Sequence, residues 1–197
     1  MTGKRVFLPD GRVWLRLASP AWADPLDPGY AQNHGGRWNP PGSFPALYLN
    51  SDIATARLQI ERLLVGWPAT IHDLDVEAYV LIAVTLPRGQ TCADAVTASG
   101  LQAMRLPDTY PVDLAGKRIG HASCQPIGRR VHDAGLRGVW CRSACTDDGR
   151  GRELAWFPAT PRSKARPAWR KPLPLGVWRH AADWAGIGLT HQDDPAV

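Results

Sequence analysis

The 197-residue chain lacks any apolar run that approaches the roughly 18 residues a membrane-spanning helix requires. Its first ten residues also lack the apolar core of a secretion signal. These two absences predict a cytoplasmic protein with no membrane partner. Cysteine is scarce too: four residues do not make a disulfide framework in a chain of this length, so we expect reduced thiols.

Two common catalytic motifs are also missing. There is no G-x-S-x-G sequence, so serine hydrolase chemistry is not supported. There is no G-x-x-x-x-G-K-[ST] run, so a P-loop that cradles phosphates is absent as well. No internal repeat occurs.

What the chain does have is a globular composition and an excess of positive charge. Hydrophobic residues make up 44%, and the length predicts one domain over residues 1–197. The net charge is +5, and much of the excess lies in a Pro- and Trp-rich C-terminal extension, residues 159–197. A basic surface attracts nucleotides, other polyanions or an acidic partner, although it can also be a plain solvated face.

The tryptophans of the extension have two interpretations. Tryptophan beside arginine can stack on nucleic-acid bases. Large aromatic rings more often pack a segment onto the body of a protein, so we do not expect nucleic acid to be the main partner. The rings concerned are Trp169, Trp178 and Trp184.

Hydrophobic periodicity predicts an α+β fold, with a mixed or antiparallel sheet as its core and flanking helices. Residues 18–45 are rich in Pro, Gly, Asp and Asn and predict a long ordered loop. Residues 88–120 predict a mixture of loop and short helix. The predicted strands are two segments within 6–17, then 46–49, 79–86, 138–142 and 153–157, and the predicted helices are 52–65 and 122–134.

The segment GGRWNPPG, residues 35–42, followed by the strand ALYL, is the most informative part of the chain. Glycines and prolines make a braced loop that presents Arg37. Its guanidinium can form paired bonds to a phosphate or carboxylate, and Tyr48 offers a flat ring and a hydroxyl. The helix that follows should bring a third group to the same site, which suits a nucleotide-like ligand.

Two further clusters are weaker. Ser143 follows a predicted strand, where its hydroxyl can hold an amide or phosphate oxygen or simply form a turn. His121, Cys124, Cys141 and Cys145 have a spacing that is looser than that of a zinc ribbon. We therefore expect buried thiols and no metal.

Three blocks together resemble the RES-domain family, which is named for arginine, glutamate and serine. They are GGRWNPPG with Arg37, then ALYLN and ATARLQIERL with Tyr48, then GVWCRSACTDDGRGRELAWF with Ser143. The blocks ADPLDPGY and HASCQPIG add to the likeness, which covers roughly residues 14–158.

The resemblance implies a fold like that of ADP-ribosyltransferase toxins. It also implies a toxin that consumes NAD⁺ by breaking the nicotinamide–ribose bond, together with an Xre-type antitoxin that covers the site. Arg37 would grip the phosphates of NAD⁺, Tyr48 would position the nicotinamide or its ribose, and Ser143 would bond the ligand. The neighbours Trp38 and Asn39 belong to the same implied binding segment. A homodimer is a further expectation.

The sequence departs from the family pattern at its carboxylate. The family glutamate falls eleven positions after the tyrosine, and here that position is Gln59. Glu61 is two residues on, a rotation of about 200° around a helix, so the two side chains cannot face the same pocket. Gln59 is the favoured occupant, because Glu61 continues toward solvent. A local shift that brings in Glu61, or a substitute such as Glu153 or Asp147, stays open.

The main hypothesis is therefore a protein that binds and cleaves NAD⁺, with water, phosphate or a protein group as acceptor. The alternative is a non-catalytic module that keeps the pocket for a nucleotide or a protein partner, since glutamine supplies no negative charge.

Overall fold

The computed structural model describes residues 3–169 and 171–181, and within them all nine strands belong to one sheet. Five α-helices accompany the sheet, and none of the described helices is long and apolar enough to cross a membrane. The strands are β1 Arg5–Phe7, β2 Val13–Ala18, β3 Leu47–Asn50, β4 Val80–Thr85, β5 Thr91–Ala95, β6 Gly138–Arg142, β7 Arg152–Trp156, β8 Arg166–Pro167 and β9 Leu173–Pro174; the helices are α1 Gly29–His34, α2 Ile53–Leu63, α3 Ala98–Met104, α4 His121–Asp133 and α5 Leu175–Trp178.

The strand order is β1-β5-β6-β7-β3-β2-β4-β8, with β9 pairing beside β8 on β4. Strands β5 and β6 are parallel, because α3 and α4 lie between them in the chain, and the other pairs are antiparallel. The predicted α+β class with a mixed sheet is thus confirmed. Strands β3 and β7 run through the middle of the sheet, where side chains from both neighbours surround them.

The helix after β3 begins where its sequence predicts. Asp52 caps α2 by accepting a hydrogen bond from the Thr55 amide at 2.7 Å. Ile53, Ala56 and Ile60 are fully buried at spacings of three and four, as an amphipathic helix requires. The apolar face ends there, since Leu63 is 60% exposed.

Three parts of the sequence-based assignment need correction. The long loop 18–45 contains the six-residue helix α1, and the region 88–120 contains the strand β5 as well as α3. The extension also contributes β8 and β9 to the sheet through β4. Such short strands carry too little periodicity to be recognised in a sequence, because neighbouring strands supply most of their order.

The two tryptophans of the extension that the structure describes pack onto the body of the protein. Trp178 is completely buried, and its indole nitrogen donates to the Leu173 carbonyl at 3.2 Å. Trp169 packs against the same apolar cluster beneath α2. The Trp178 ring is therefore not available to stack on bases, and the Trp169 ring is partly buried. Trp184 and Arg170 lie outside the described residues.

Helix α4 approaches the GGRWNPPG loop through a glycine. A methyl group added at Gly128 would overlap the carbonyl oxygen of Trp38. Trp38 is itself buried, in a cluster with Tyr110, Cys124 and Ile127. The glycine therefore sets how closely the helix and the loop can approach each other, and with them the residues that flank Arg37.

We expect Gly128→Ala to lower the free energy of unfolding by about 2–3 kcal/mol, since neither backbone can yield without disturbing a packed core. The loss should exceed the roughly 1 kcal/mol that alanine gains by helix propensity. Urea unfolding followed by tryptophan fluorescence measures it. The matched control is Gly120→Ala at the start of α4, where an added methyl group meets nothing within 4 Å. Equal stability of the two variants would contradict the close approach.

Candidate active site

The GGRWNPPG loop is braced against β3. A methyl group at Gly36 would come within 2.6 Å of the Tyr48 ring, so only glycine permits this contact. The loop then closes on itself, as the Gly36 amide donates to the Asn39 carbonyl at 2.9 Å. Across it, the guanidinium of Arg37 donates from Nη1 to the Ile119 carbonyl at 2.7 Å. Arg37 is thus held at one nitrogen, which leaves its other N–H groups for a ligand.

The hydroxyl of Tyr48 is fully used inside the protein. It accepts from the Trp38 amide at 2.9 Å and donates to Asn39 Oδ1 at 2.8 Å. The amide of Asn39 in turn donates to the Ala31 carbonyl at 2.6 Å, which ties the loop to α1. Burial raises the pKa of Tyr48, so its phenol stays neutral. The ring face, rather than the hydroxyl, is what Tyr48 can offer a ligand.

The position that the resemblance assigns to glutamate holds Gln59, on the second turn of α2. Gln59 Oε1 accepts from Asn50 Nδ2 at 2.9 Å. Asn50 is buried at the end of β3 and lies opposite Glu153 of β7 in the strand register. Glu61 points elsewhere: its carboxylate lies 4.0 Å from Arg57 and its side chain is 46% exposed.

Ser143 contacts a second acidic residue. It is fully buried, and its hydroxyl donates to Glu153 Oε1 at 2.5 Å. The Cys145 thiol approaches the same oxygen at 3.7 Å, while the Cys145 amide donates to Ser143 Oγ. Burial raises the pKa of Glu153, against the lowering effects of the Ser143 hydrogen bond and of the Arg37 charge.

These elements enclose one cavity of about 470 Å³, a size typical of small-ligand sites. Four arginines line it against two carboxylates, so an anion is favoured. Burial lowers the pKa of Arg16 to about 10, which keeps it cationic at neutral pH. The lining residues are Arg16, Trp22, Asp27, Tyr30, Ala31, Gly35, Gly36, Arg37, Ala46, Tyr48, Gln59, Arg62, Arg118, His121, Ala144, Cys145 and Glu153.

The structure brings together some of the predicted site residues and sets others behind them. Arg37, Tyr48 and Gln59 line the cavity. Trp38, Asn39 and Ser143 do not line it; all three are buried, the first two holding Tyr48 and the third holding Glu153. Glu61 lies outside it. For Asp147, which sequence reasoning left open, the carboxylate pairs with Arg118 and is largely exposed.

Several cavity residues have no motif that would reveal them. Arg16 comes from β2, where it donates to the Tyr48 carbonyl at 3.0 Å. Trp22 and Tyr30 come from the segment that was predicted to be a loop, and Arg62 lies one turn after Gln59. For Glu153 a signal did exist. It follows Ser143 by ten residues across a predicted hairpin; in the register Glu153 pairs with Cys141, two residues before Ser143, so the two side chains share one face of the sheet.

The cysteines and His121 do not form a metal centre. Among the described residues, no group of three or more His, Cys, Asp or Glu side chains is arranged to hold a metal ion. Burial raises the pKa of Cys124 and that of Cys145, the latter to about 11. Both thiols are therefore protonated at neutral pH.

The cavity is rich in arginine and lies on the central strands of the α+β sheet, which favours an anionic ligand. The RES domain family model matches residues 10–177, and the chain belongs to the RES domain family.

Curated relatives match only part of the chain. The NAD(+) phosphorylase MbcT of Mycobacterium bovis and that of Mycobacterium tuberculosis are each 30% identical over an alignment of 114 residues, and the match covers 52% of this chain. The aligned part is 56% of the MbcT length, so the chain spans about half the length of the curated relatives it matches.

A solved structure covers more of the fold. The crystal structure of the M. tuberculosis MbcT–MbcA toxin–antitoxin complex aligns with a TM-score of 0.68, covering 89% of this chain and 90% of that one. The sequence identity in this alignment is 22%, so the match establishes the shared fold.

Glu153 gives the fold a measurable dependence on pH. Its pKa is raised in the folded state, so the unfolded chain loses this proton first as the pH rises. The stability it contributes is complete below the ordinary carboxyl pKa of 4.5 and is lost as the pH rises through the raised value. Glu153→Gln should therefore increase the free energy of unfolding at neutral pH.

The gain should shrink toward zero near pH 4, where both side chains are neutral. Urea unfolding of the two proteins at several pH values measures the difference. A difference that is constant with pH would show that the Glu153 carboxyl titrates normally.

Proposed function

We propose that this protein binds NAD⁺ in the arginine-lined cavity and cleaves the bond between nicotinamide and ribose. The reaction would be that of an NAD⁺ phosphorylase, a glycohydrolase or an ADP-ribosyltransferase. The observation that carries the proposal is that Arg37, Tyr48, Gln59 and Glu153 line the same cavity. Membership of the RES domain family and the match to NAD(+) phosphorylase MbcT support the same reaction.

The cavity supplies the groups that such a substrate needs. Arg37 has one nitrogen held by Ile119 and further N–H groups that can bond the diphosphate with charge-assisted bonds. Arg16, Arg62 and Arg118 add positive charge around it. The Tyr48 ring can stack against the nicotinamide, and Gln59 can hydrogen-bond the ribose hydroxyls. Held in this way, the substrate would need little further ordering before the bond breaks.

The second part of the proposal concerns the partner. The protein that shares the fold, MbcT, was solved in complex with the antitoxin MbcA. We therefore assign this chain the role of a toxin that an antitoxin neutralises. An Xre-type antitoxin, a cytoplasmic location and a homodimer belong to the same proposal. A small helical DNA-binding protein encoded in the adjacent reading frame would support the pairing.

A non-catalytic binding module is the competing function, and one observation favours it. Gln59 lines the cavity, accepts a hydrogen bond from Asn50 and supplies no negative charge. Loss of one electrostatic group of this kind costs on the order of 10²–10³ in rate. Under this alternative, calorimetry would show NAD⁺ binding while chromatography would show no nicotinamide.

The predicted activity is tested with Arg37→Ala and Arg37→Lys. Nicotinamide release from NAD⁺, followed by chromatography with and without inorganic phosphate, should fall about 10²-fold or more in Arg37→Ala. Arg37→Lys should recover only part of it, because lysine keeps the charge but loses the planar fork. Dependence on phosphate would identify a phosphorylase.

The control is Arg88→Ala, which removes an exposed arginine of the β4–β5 turn that does not line the cavity. It should leave nicotinamide release unchanged. Full activity of Arg37→Ala would show that Arg37 is not needed to bind NAD⁺. A wild-type protein that neither binds nor cleaves NAD⁺ would contradict the proposal.

A further inference from the structure

The cavity contains a carboxylate that α2 does not provide. The chain has only three glutamates, and they have three different environments. Glu61 pairs with Arg57 at the surface of α2, and Glu77 is exposed in the segment before β4. Only Glu153 lines the cavity. The other carboxylate there, Asp27, accepts from the Gly29 amide in its own exposed turn at the cavity rim.

Glu153 is held in one orientation. Its Oε1 accepts from Ser143 Oγ at 2.5 Å and lies 3.7 Å from Cys145 Sγ, so two side chains of the β6–β7 turn hold it from one side. Strand β3 pairs with β7 on the other side. Asn50 lies opposite Glu153 on β3 and is bonded to Gln59, which lines the same cavity. Asn50 is thus bonded to the Gln59 side chain and paired with Glu153 in the strand register.

Its orientation relative to Tyr48 follows from the same register. Tyr48 pairs with Ala155, two residues along β7 from Glu153. Because paired positions and alternate residues share a face, Tyr48 and Glu153 point to the same side of the sheet. A ligand ring on Tyr48 would therefore have the Glu153 carboxylate beside it.

We propose that Glu153 is the catalytic carboxylate of this site and that Gln59 is its neutral partner, which binds a ribose hydroxyl. The inference rests on the proposed function, since it assigns the negative charge that cleavage of NAD⁺ needs. The high cost of burying a carboxylate, visible in the raised pKa of Glu153, fits a group kept for chemistry rather than for stability.

The step balances without an added oxidant or reductant. The bond between ribose C1′ and the pyridinium nitrogen breaks, and its electron pair moves to nitrogen, so nicotinamide leaves neutral. Positive charge develops on C1′ and the ring oxygen, where the Glu153 carboxylate stabilises it. An oxygen of water or of inorganic phosphate then bonds to C1′. Water gives ADP-ribose and a released proton, and phosphate gives the ADP-ribose 1-phosphate.

The test exchanges the two side chains. Glu153→Gln keeps an acceptor for Ser143 and should lower kcat for nicotinamide release by 10²–10³-fold, while NAD⁺ affinity measured by calorimetry changes less than about threefold. Glu153→Asp keeps the negative charge on a side chain that is one methylene shorter, so it should retain more activity than Glu153→Gln. The double variant Gln59→Glu/Glu153→Gln returns one carboxylate to the cavity. Its kcat should be at least tenfold higher than that of Glu153→Gln.

Glu77→Gln is the matched control, since it removes an exposed glutamate far from the cavity lining and should leave the rate unchanged. Full activity in Glu153→Gln, with an active wild-type protein, would overturn the role of Glu153 and leave the proposed function standing. No nicotinamide release from the wild-type protein would overturn both. Lost activity in Glu153→Gln and Glu153→Asp together with lost NAD⁺ binding would make Glu153 structural.

Discussion

The site depends on the two hydrogen bonds that the Tyr48 hydroxyl makes. This hydroxyl joins strand β3 to the GGRWNPPG loop by accepting from the Trp38 amide and donating to Asn39. Gly36 is required beside it because any side chain there would strike the phenol ring. Arg37 lies between these contacts, so its guanidinium is presented from a loop that has little freedom. If the hydroxyl were removed, two buried polar groups would lose their partner, at a cost of about 1–3 kcal/mol.

A second constraint is the balance of charge in the cavity. Four arginines and two carboxylates line the cavity, so its lining carries an excess of positive charge that favours an anion. The arginines are Arg16, Arg37, Arg62 and Arg118. His121 adds none at neutral pH, since burial and the Arg37 charge both lower its pKa. Of the two carboxylates, Asp27 lies in an exposed turn and Glu153 lies on the central strand β7. Burial of that acid opposes folding, which is the pattern expected of a functional group.

Much of the architecture could be predicted from residue patterns. The helix α2 begins at its Asp52 cap, and the strands β6 and β7 flank the polar turn that separates them. These elements have strong local signals: a cap, a 3.6-residue period, or an alternation bounded by glycine. The short helix α1 and the strand β5 were missed, because their order comes from contacts with distant parts of the chain. Arg37, Tyr48 and Gln59 were placed together by their motif, and the cavity does contain all three.

The sequence by itself determined the family, the α+β class and the loop that presents Arg37, because these depend on local chemistry and on contiguous motifs. Only the tertiary structure decided which acid enters the cavity. Gln59 and Glu61 are two residues apart, and the helix turns them to different sides; Glu153 is almost a hundred residues away, and the pairing of β3 with β7 brings it opposite Asn50. Strand register, which is set by long-range packing, brings the Glu153 carboxylate to the cavity that α2 lines with the Gln59 amide.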